Sequence, residues 1–157
     1  MRAPVILFVL QLAATLFMTG IIWFVQVVHY PLFARVGPAE LPRYIRSNGS
    51  RTGWVVLPAM VIELATGLVG LDPKFRPAGM SRLDAWILVG LLLLIWGSTA
   101  LVQSDLHDKL GKKALPNAGP EVSLAHIHHL VVSNRLRAAA WTSRSLLLLY
   151  VLSLELR

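Results

Sequence analysis

The groups through which this chain could do chemistry are five histidines, the amides spaced beside them, and two charges set deep in apolar sequence. His29 follows Gln26 by three residues, and His107 follows Gln103 by four. At those spacings each amide shares a helix face with its imidazole. An imidazole titrates near neutral pH, so His29 and His107 are candidate general bases, and both could instead ligate a metal. His126, His128 and His129 form a second group. Their run, His-Ile-His-His, has neither the H-x-x-x-H nor the H-E-x-x-H spacing of a helical zinc site. His126 and His128 read as amphipathic anchors at a membrane surface. His129, three residues beyond His126, is a further candidate metal ligand.

Glu63 and Arg144 lie deepest. Glu63 is eleven residues beyond Thr52, roughly 16 Å along a helix. Arg144 is six residues inside the apolar run that opens at Ala138, roughly 9 Å on the same measure. A charge at such depth costs about 2.5–3.5 kcal/mol on insertion scales, so it faces a partner or a watery cavity. Two readings follow. The pair could hold the helices together, or it could carry protons or hold substrate, with Glu63 also a candidate carboxylate ligand to a metal.

Other chemistries are excluded by composition. There is no cysteine, which removes disulfides, thiolate catalysis and iron–sulfur clusters. No glycine-rich phosphate loop and no Ser/His/Asp nucleophile arrangement is present. The net charge of +7 would suggest nucleic acid in a soluble protein. Here the basic residues flank apolar runs, so anionic lipid head groups are the better partner and nucleic acid is set aside.

Something must position these groups, and hydrophobic length says what. Apolar residues make up 55% of the 157-residue chain, against roughly 45–50% in a soluble domain. A span needs roughly 20 apolar residues. Four such runs occur, at about 4–28, 52–71, 83–102 and 138–154. The expected fold is all-α, a single integral membrane domain over 1–157 built as a four-transmembrane-helix bundle. The first run is too long for the core of a signal peptide and reads as a retained span. His29-Tyr30-Pro31 closes it, because a proline disfavours the helical region for the residue before it. Residues 32–51, with Pro38, Pro42 and Asn48-Gly49, read as an interfacial segment, a helix or a turn, between spans one and two. Pro58 falls inside span two, where a membrane helix tolerates it. Ser81 and Asp84 suggest a capping box opening span three, whose helix is expected to run past His107. Residues 111–120 read as a loop, with a helix restarting near Glu121.

Four spans put both termini on one membrane side, A, and all five histidines near the other, B. Side B then holds Arg35, Arg43, Arg46, Arg51, Lys109, Lys112, Lys113, Arg135 and Arg137; side A holds Arg2, Lys74, Arg76, Arg82 and Arg157. The excess makes B cytoplasmic. The expected location is a bacterial inner membrane, with the N- and C-termini outside the cytoplasm.

Each span also carries a polar stripe at helical spacing. Span one has Thr15, Thr19, Trp23, Gln26 and His29; span three has Thr99, Gln103 and His107; span four has Asn134, Arg137, Trp141 and Arg144. Span two offers Thr52, Glu63 and Thr66, with Gly67 and Gly70 permitting close helix approach. Facing inward, the stripes nominate His29, His107 and Glu63 as catalytic groups. Gln26, Gln103, Asn134, Arg137, Trp141 and Arg144 are nominated to hold substrate. The candidate metal ligands are His29, His107, His129 and Glu63, and haem on two histidines or a single transition metal are the cofactors they could hold; a cofactor-free site is equally compatible.

The segments Trp23-Phe24-Val25-Gln26-Val27-Val28-His29-Tyr30-Pro31-Leu32-Phe33, Gln103…His107…Leu110 and Ser133-Asn134-Arg135-Leu136-Arg137…Trp141…Arg144 occur in this order. The pattern resembles small bacterial four-helix integral membrane proteins, mostly of unassigned function. In outline it is similar to the anthrone-oxygenase-like membrane family. That family's third-span motif reads Pro-x-Asn, where this chain has Gln103-Ser104-Asp105-Leu106-His107. The resemblance implies a four-helix bundle oxidising a hydrophobic aromatic substrate, in some members without a cofactor.

Three functions are therefore expected to compete. The first is a membrane oxidoreductase with an intramembrane His/Glu/Arg site acting on a hydrophobic, lipid-soluble small molecule. The second is a small transport or binding subunit using the Glu63/Arg144 pair, assembled as a homo-oligomer. The third is a structural or accessory membrane protein.

Overall fold

The structure is a computed structural model that describes residues 3–112 and 119–157. The loop basic residue Lys113 and the N-terminal Arg2, both counted in the charge balance, lie outside the described residues. Every regular element among those described is helical. Four long helices account for the chain: α1 (Ala3–Arg35), α2 (Leu41–Val69), α3 (Arg82–Gly111) and α4 (Pro120–Glu155).

The first three are long and apolar enough to cross a membrane, which marks the chain as a membrane protein. α4 is longer, at 36 residues, but Arg137, Arg144 and the hydroxyls of Thr142, Ser143 and Ser145 dilute its apolar run.

The expected break at Tyr30 does not occur. Tyr30 keeps helical angles, φ −66° and ψ −42°, and its N–H bonds the Val25 carbonyl across a π-helical turn, Val25–His29. A proline ring collides with the carbonyl four residues back in an ordinary α-helix. The wider turn rearranges the hydrogen bonds just before Pro31, and α1 continues to a 3₁₀ end at Phe33–Arg35. The expected interfacial segment contracts for a related reason. α2 starts at Leu41, with Pro42 in its first turn, where a missing N–H costs nothing. Asn48-Gly49 is therefore helix, and only residues 36–40 form the turn.

α3 opens as its sequence suggests: Ser81 Oγ accepts from the Asp84 N–H at 3.1 Å, and the Asp84 carboxylate accepts from the Ser81 N–H at 2.9 Å. It too contains a π-turn, Thr99–Gln103, and continues past His107.

The helices pack antiparallel in three apolar layers. Phe8, Ala85, Leu88, Leu148 and Val151 fill the end that holds the start of α1. Met18, Ile22, Met60, Ile95 and Trp141 fill the middle. Tyr30, Phe33, Leu41, Ile45, Leu106, Leu110 and Leu130 fill the far end. Gly67 lets α2 approach closely: a Cβ there would lie 2.9 Å from Leu92 Cδ1 and 3.4 Å from Gln11 Nε2. Most outward-facing side chains, such as Trp54, Leu101 and Leu146, are apolar and exposed, as a lipid-facing surface requires.

Candidate functional site

The inward stripes meet in two separate polar sites. The deeper one is sealed. Glu63 and Arg144 are both 0% exposed, and Arg144 Nη2 lies 3.4 Å from Glu63 Oε1. Thr15 Oγ1 donates to the same carboxylate oxygen at 2.6 Å, and Trp141 Nε1 donates to the other at 3.0 Å. Arg144 Nη1 donates to the Leu88 carbonyl. One cluster thus ties α1, α2, α3 and α4 together in the apolar interior, with the carboxylate accepting two hydrogen bonds beside its ion pair with Arg144. Beside it, the Thr19 and Ser145 hydroxyls lie 2.7 Å apart.

The second site is hollow. A cavity of about 340 Å³ opens between α2 and α3. One α2 face supplies Asn48, Gly49, Thr52, Gly53 and Val56, and one α3 face supplies Trp96, Thr99, Gln103 and His107; His29 and Tyr30 of α1 and Arg137 of α4 complete it. The two glycines widen it, since a Cβ on Gly49 would meet nothing within 4 Å and one on Gly53 only Leu57 Cδ1 at 3.9 Å. The two π-turns end at His29 and Gln103, both in this wall. An inserted residue turns the downstream face by about 100°, and π-turns recur at functional sites for this reason.

The hydrogen bonds of the cavity have a fixed polarity. The Ser133 hydroxyl donates its one proton to the His129 carbonyl at 2.7 Å, because a carbonyl only accepts. Ser133 Oγ must then accept from Gln103 Nε2, at 2.9 Å. That turns Gln103 Oε1 toward Tyr30, whose hydroxyl donates to it at 3.2 Å. With its proton so committed, the Tyr30 oxygen accepts from His107 Nε2, at 3.1 Å. Neutral His107 therefore carries its proton on Nε2 and a lone pair on Nδ1, since the partner of one ring nitrogen sets the state of the other.

That Nδ1 has no partner among the described residues and is buried. The same holds for Arg137 Nε and Trp96 Nε1, and all three residues border the cavity. A buried polar atom left unpaired costs about 1–3 kcal/mol. Arg137 is only 8% exposed; its Nη1 donates to Asn134 Oδ1 at 3.1 Å, and its guanidinium sits 5.3 Å from the Trp141 ring centre. Three residues that border one space thus each carry a buried nitrogen without a partner, two of them donors and one an acceptor.

Of the nine residues nominated for catalysis and substrate binding, His29, Gln103, His107 and Arg137 line the cavity. Gln26 and Asn134 stand behind it: Asn134 Nδ2 donates to Gln26 Oε1 at 2.9 Å and Asn134 Oδ1 positions Arg137. Glu63, Trp141 and Arg144 belong to the sealed cluster and do not border the cavity. Among the nominated metal ligands, His29 and His107 approach the same space, while Glu63 is enclosed elsewhere and His129 faces outward. Among the described residues, no group of three histidine or carboxylate side chains could hold a metal ion. His29 Nε2 is 2.9 Å from Asn48 Oδ1, which also accepts from Thr52 Oγ1 at 3.3 Å.

Tyr30, Asn48, Trp96 and Ser133 border or orient the site but were not among the nominated residues. The prolines and Asn48-Gly49 mask the helical faces of Tyr30 and Asn48 in the sequence. Trp96 lies deep in the third span, where a tryptophan packs more commonly than it lines a pocket. Ser133, one residue before Asn134, is the one of the four whose place beside the polar stripe is legible in the sequence. No known protein family matches the chain, and no curated protein or solved structure is detectably similar to it.

Proposed function

We propose that this is a four-span membrane protein whose cavity between α2 and α3 binds a lipid-soluble acidic molecule, a phenol, enol or hydroxyquinone, and removes its proton at His107. The observation that carries the reading is that three residues bordering one cavity, His107, Arg137 and Trp96, each hold a buried nitrogen with no partner, Nδ1, Nε and Nε1, which a side-chain rotation brings to a ligand. A ligand hydroxyl satisfies the first. The oxygen that becomes anionic, or a carbonyl beside it, satisfies the two donors.

The proton step is simple. The ligand O–H bond breaks, an N–H bond forms at Nδ1, and the resulting imidazolium keeps its Nε2–H on Tyr30. Arg137 opposes the oxyanion's charge in a site of low dielectric, where such a charge-assisted bond is strongest. Asn134 and Gln26 keep the guanidinium aimed. Oxidoreductase chemistry, as the resemblance to the anthrone-oxygenase-like family implies, would build on this anion, the electron-rich form from which an oxidant such as dioxygen takes electrons. α4 spans with the other helices in this reading, because Glu63 and Leu88 satisfy the charge that lowers its hydropathy. Side B is cytoplasmic, and the sealed Glu63–Arg144 cluster holds the bundle.

The test uses 4-nitrophenol, which ionises near neutral pH and whose neutral and anionic forms absorb differently. Detergent-purified protein is expected to bind it as the anion at a pH where the free probe is largely neutral. His107→Gln should abolish the anion band, and Arg137→Gln should weaken binding by about tenfold or more, the equivalent of one charge-assisted hydrogen bond. Equal anion bands in wild type and His107→Gln would overturn the assignment.

A further inference from the structure

His107 borders a second space. A cavity of about 330 Å³ has it in its wall together with Ile45, Arg46, Gly49, Ser50, Asp108 and Gly111. The walls of the two cavities share His107, Asp108 and Gly49. Their chemistry differs. The first runs along the helices between apolar stretches of α2 and α3. The second sits at the bundle end, among the first turns of α2 and the last turn of α3, where Arg46 Nη1 donates to the Gly111 carbonyl and so covers an open helix terminus. Its polar side chains, Arg46, Ser50 and Asp108, are exposed. Polar, roomy spaces of this kind hold water.

We infer that the second cavity is an aqueous vestibule from side B, and that the proton His107 takes from its ligand leaves through it. The inference rests on the proposed deprotonation. The charged and titratable groups around His107 then have distinct places: Tyr30 and His29 on α1 and Arg137 on α4 border the ligand cavity, Arg46 on α2 borders the vestibule, and Asp108 borders both. The imidazolium ring turns about its Cβ–Cγ bond to carry the Nδ1–H from the ligand side to the vestibule, the N–H bond breaks as a water O–H bond forms, and the Asp108 carboxylate favours the outgoing cation. The ligand anion stays with Arg137. The site thus exchanges ligand with the lipid and protons with one aqueous side.

The chain has no cysteine, so single-cysteine variants report access directly. Ser50→Cys, His107→Cys, Asp108→Cys and, on the ligand-side wall, Thr99→Cys are placed in sealed vesicles. A membrane-impermeant methanethiosulfonate is then added from either side. Ser50→Cys, Asp108→Cys and His107→Cys are expected to react from the same single side. Thr99→Cys should react at least roughly tenfold more slowly, since a thiol reacts only as the thiolate and in contact with reagent. His107→Cys reacting from neither side, or from the side opposite Ser50→Cys, would overturn the vestibule; Asp108→Cys decides the matter if His107→Cys does not fold. The nitrophenol supplies the second arm. Its bound anion band in wild-type vesicles should follow the pH on the Ser50 side and ignore the other, and a band that follows the opposite side refutes the exit. A protein that binds no probe yet labels as expected loses the deprotonation and keeps the vestibule.

Discussion

At the residue scale, Glu63 and Arg144 were legible as a linked pair, because two opposite charges in apolar sequence need each other. Their separation from the histidines was not legible. Depth along a helix says how far in a side chain lies, not which neighbour shields it, and here Thr15, Trp141 and the Leu88 carbonyl close the cluster. The stripe on α4 therefore divides: Arg137 turns to the cavity, and Arg144, seven residues on, to the lock. A lock of this kind makes a specific energetic demand. Removing one partner leaves the other charge buried and unpaired, a loss of about 3–5 kcal/mol, whereas replacing both with apolar groups can be close to neutral. Glu63→Gln and Arg144→Met should each lower the thermal midpoint in detergent, and the double variant should recover much of the loss. Additive destabilisation in that double-mutant cycle would mean the two residues act independently.

At the scale of the element, what could be read was periodicity and capping, and what could not was local departure from them. The Ser81–Asp84 box and the continuation of α3 past His107 follow from short-range rules. The π-turns do not, since nothing in Val25–His29 or Thr99–Gln103 changes the apolar pattern. They nevertheless decide which residues face the cavity, and the first carries α1 through Pro31 and brings Tyr30 into the wall. The glycines can be separated in the same spirit, by what surrounds each helix face. Gly67 is a contact residue, where an added methyl would press on Leu92, itself buried. Gly90 on α3 faces outward, with nothing within 4 Å of an added Cβ. Overpacking costs about 1–3 kcal/mol, and replacing a helical glycine by alanine otherwise gains about 0.5–1 kcal/mol. Gly67→Ala should thus destabilise the protein, and Gly90→Ala should stabilise it slightly. Equal shifts in denaturation midpoint for the two would show that α2 and α3 do not meet at Gly67.

For the whole molecule, the decisive question is what α4 does. Its composition argues against a lipid-embedded helix when read alone, and its surroundings argue for one. Arg144 is enclosed by three other helices, Arg137 is nearly so, and Leu146, Leu149 and Tyr150 form part of its exposed face. Of the polar residues that dilute its hydropathy, Arg137, Arg144 and Ser145 are thus spent inside the bundle, and apart from Ser143 and Ser153 the surface it offers outward along the span is apolar. Hydropathy summed along a helix cannot separate those two faces, which is why α4 falls short by composition while the antiparallel packing aligns it with the three helices that qualify. If α4 spans, both termini share a side, and the basic residues of the opposite end orient that end to the cytoplasm. In a bacterial host, alkaline phosphatase fused after Arg157 should then be active, and the same enzyme inserted in the turn at Gly37 should be silent. A silent C-terminal fusion with an active one at Gly37 would reverse the orientation. Silence at both, in well-expressed fusions, would take α4 out of the membrane and with it the lipid-side wall that Arg137 completes.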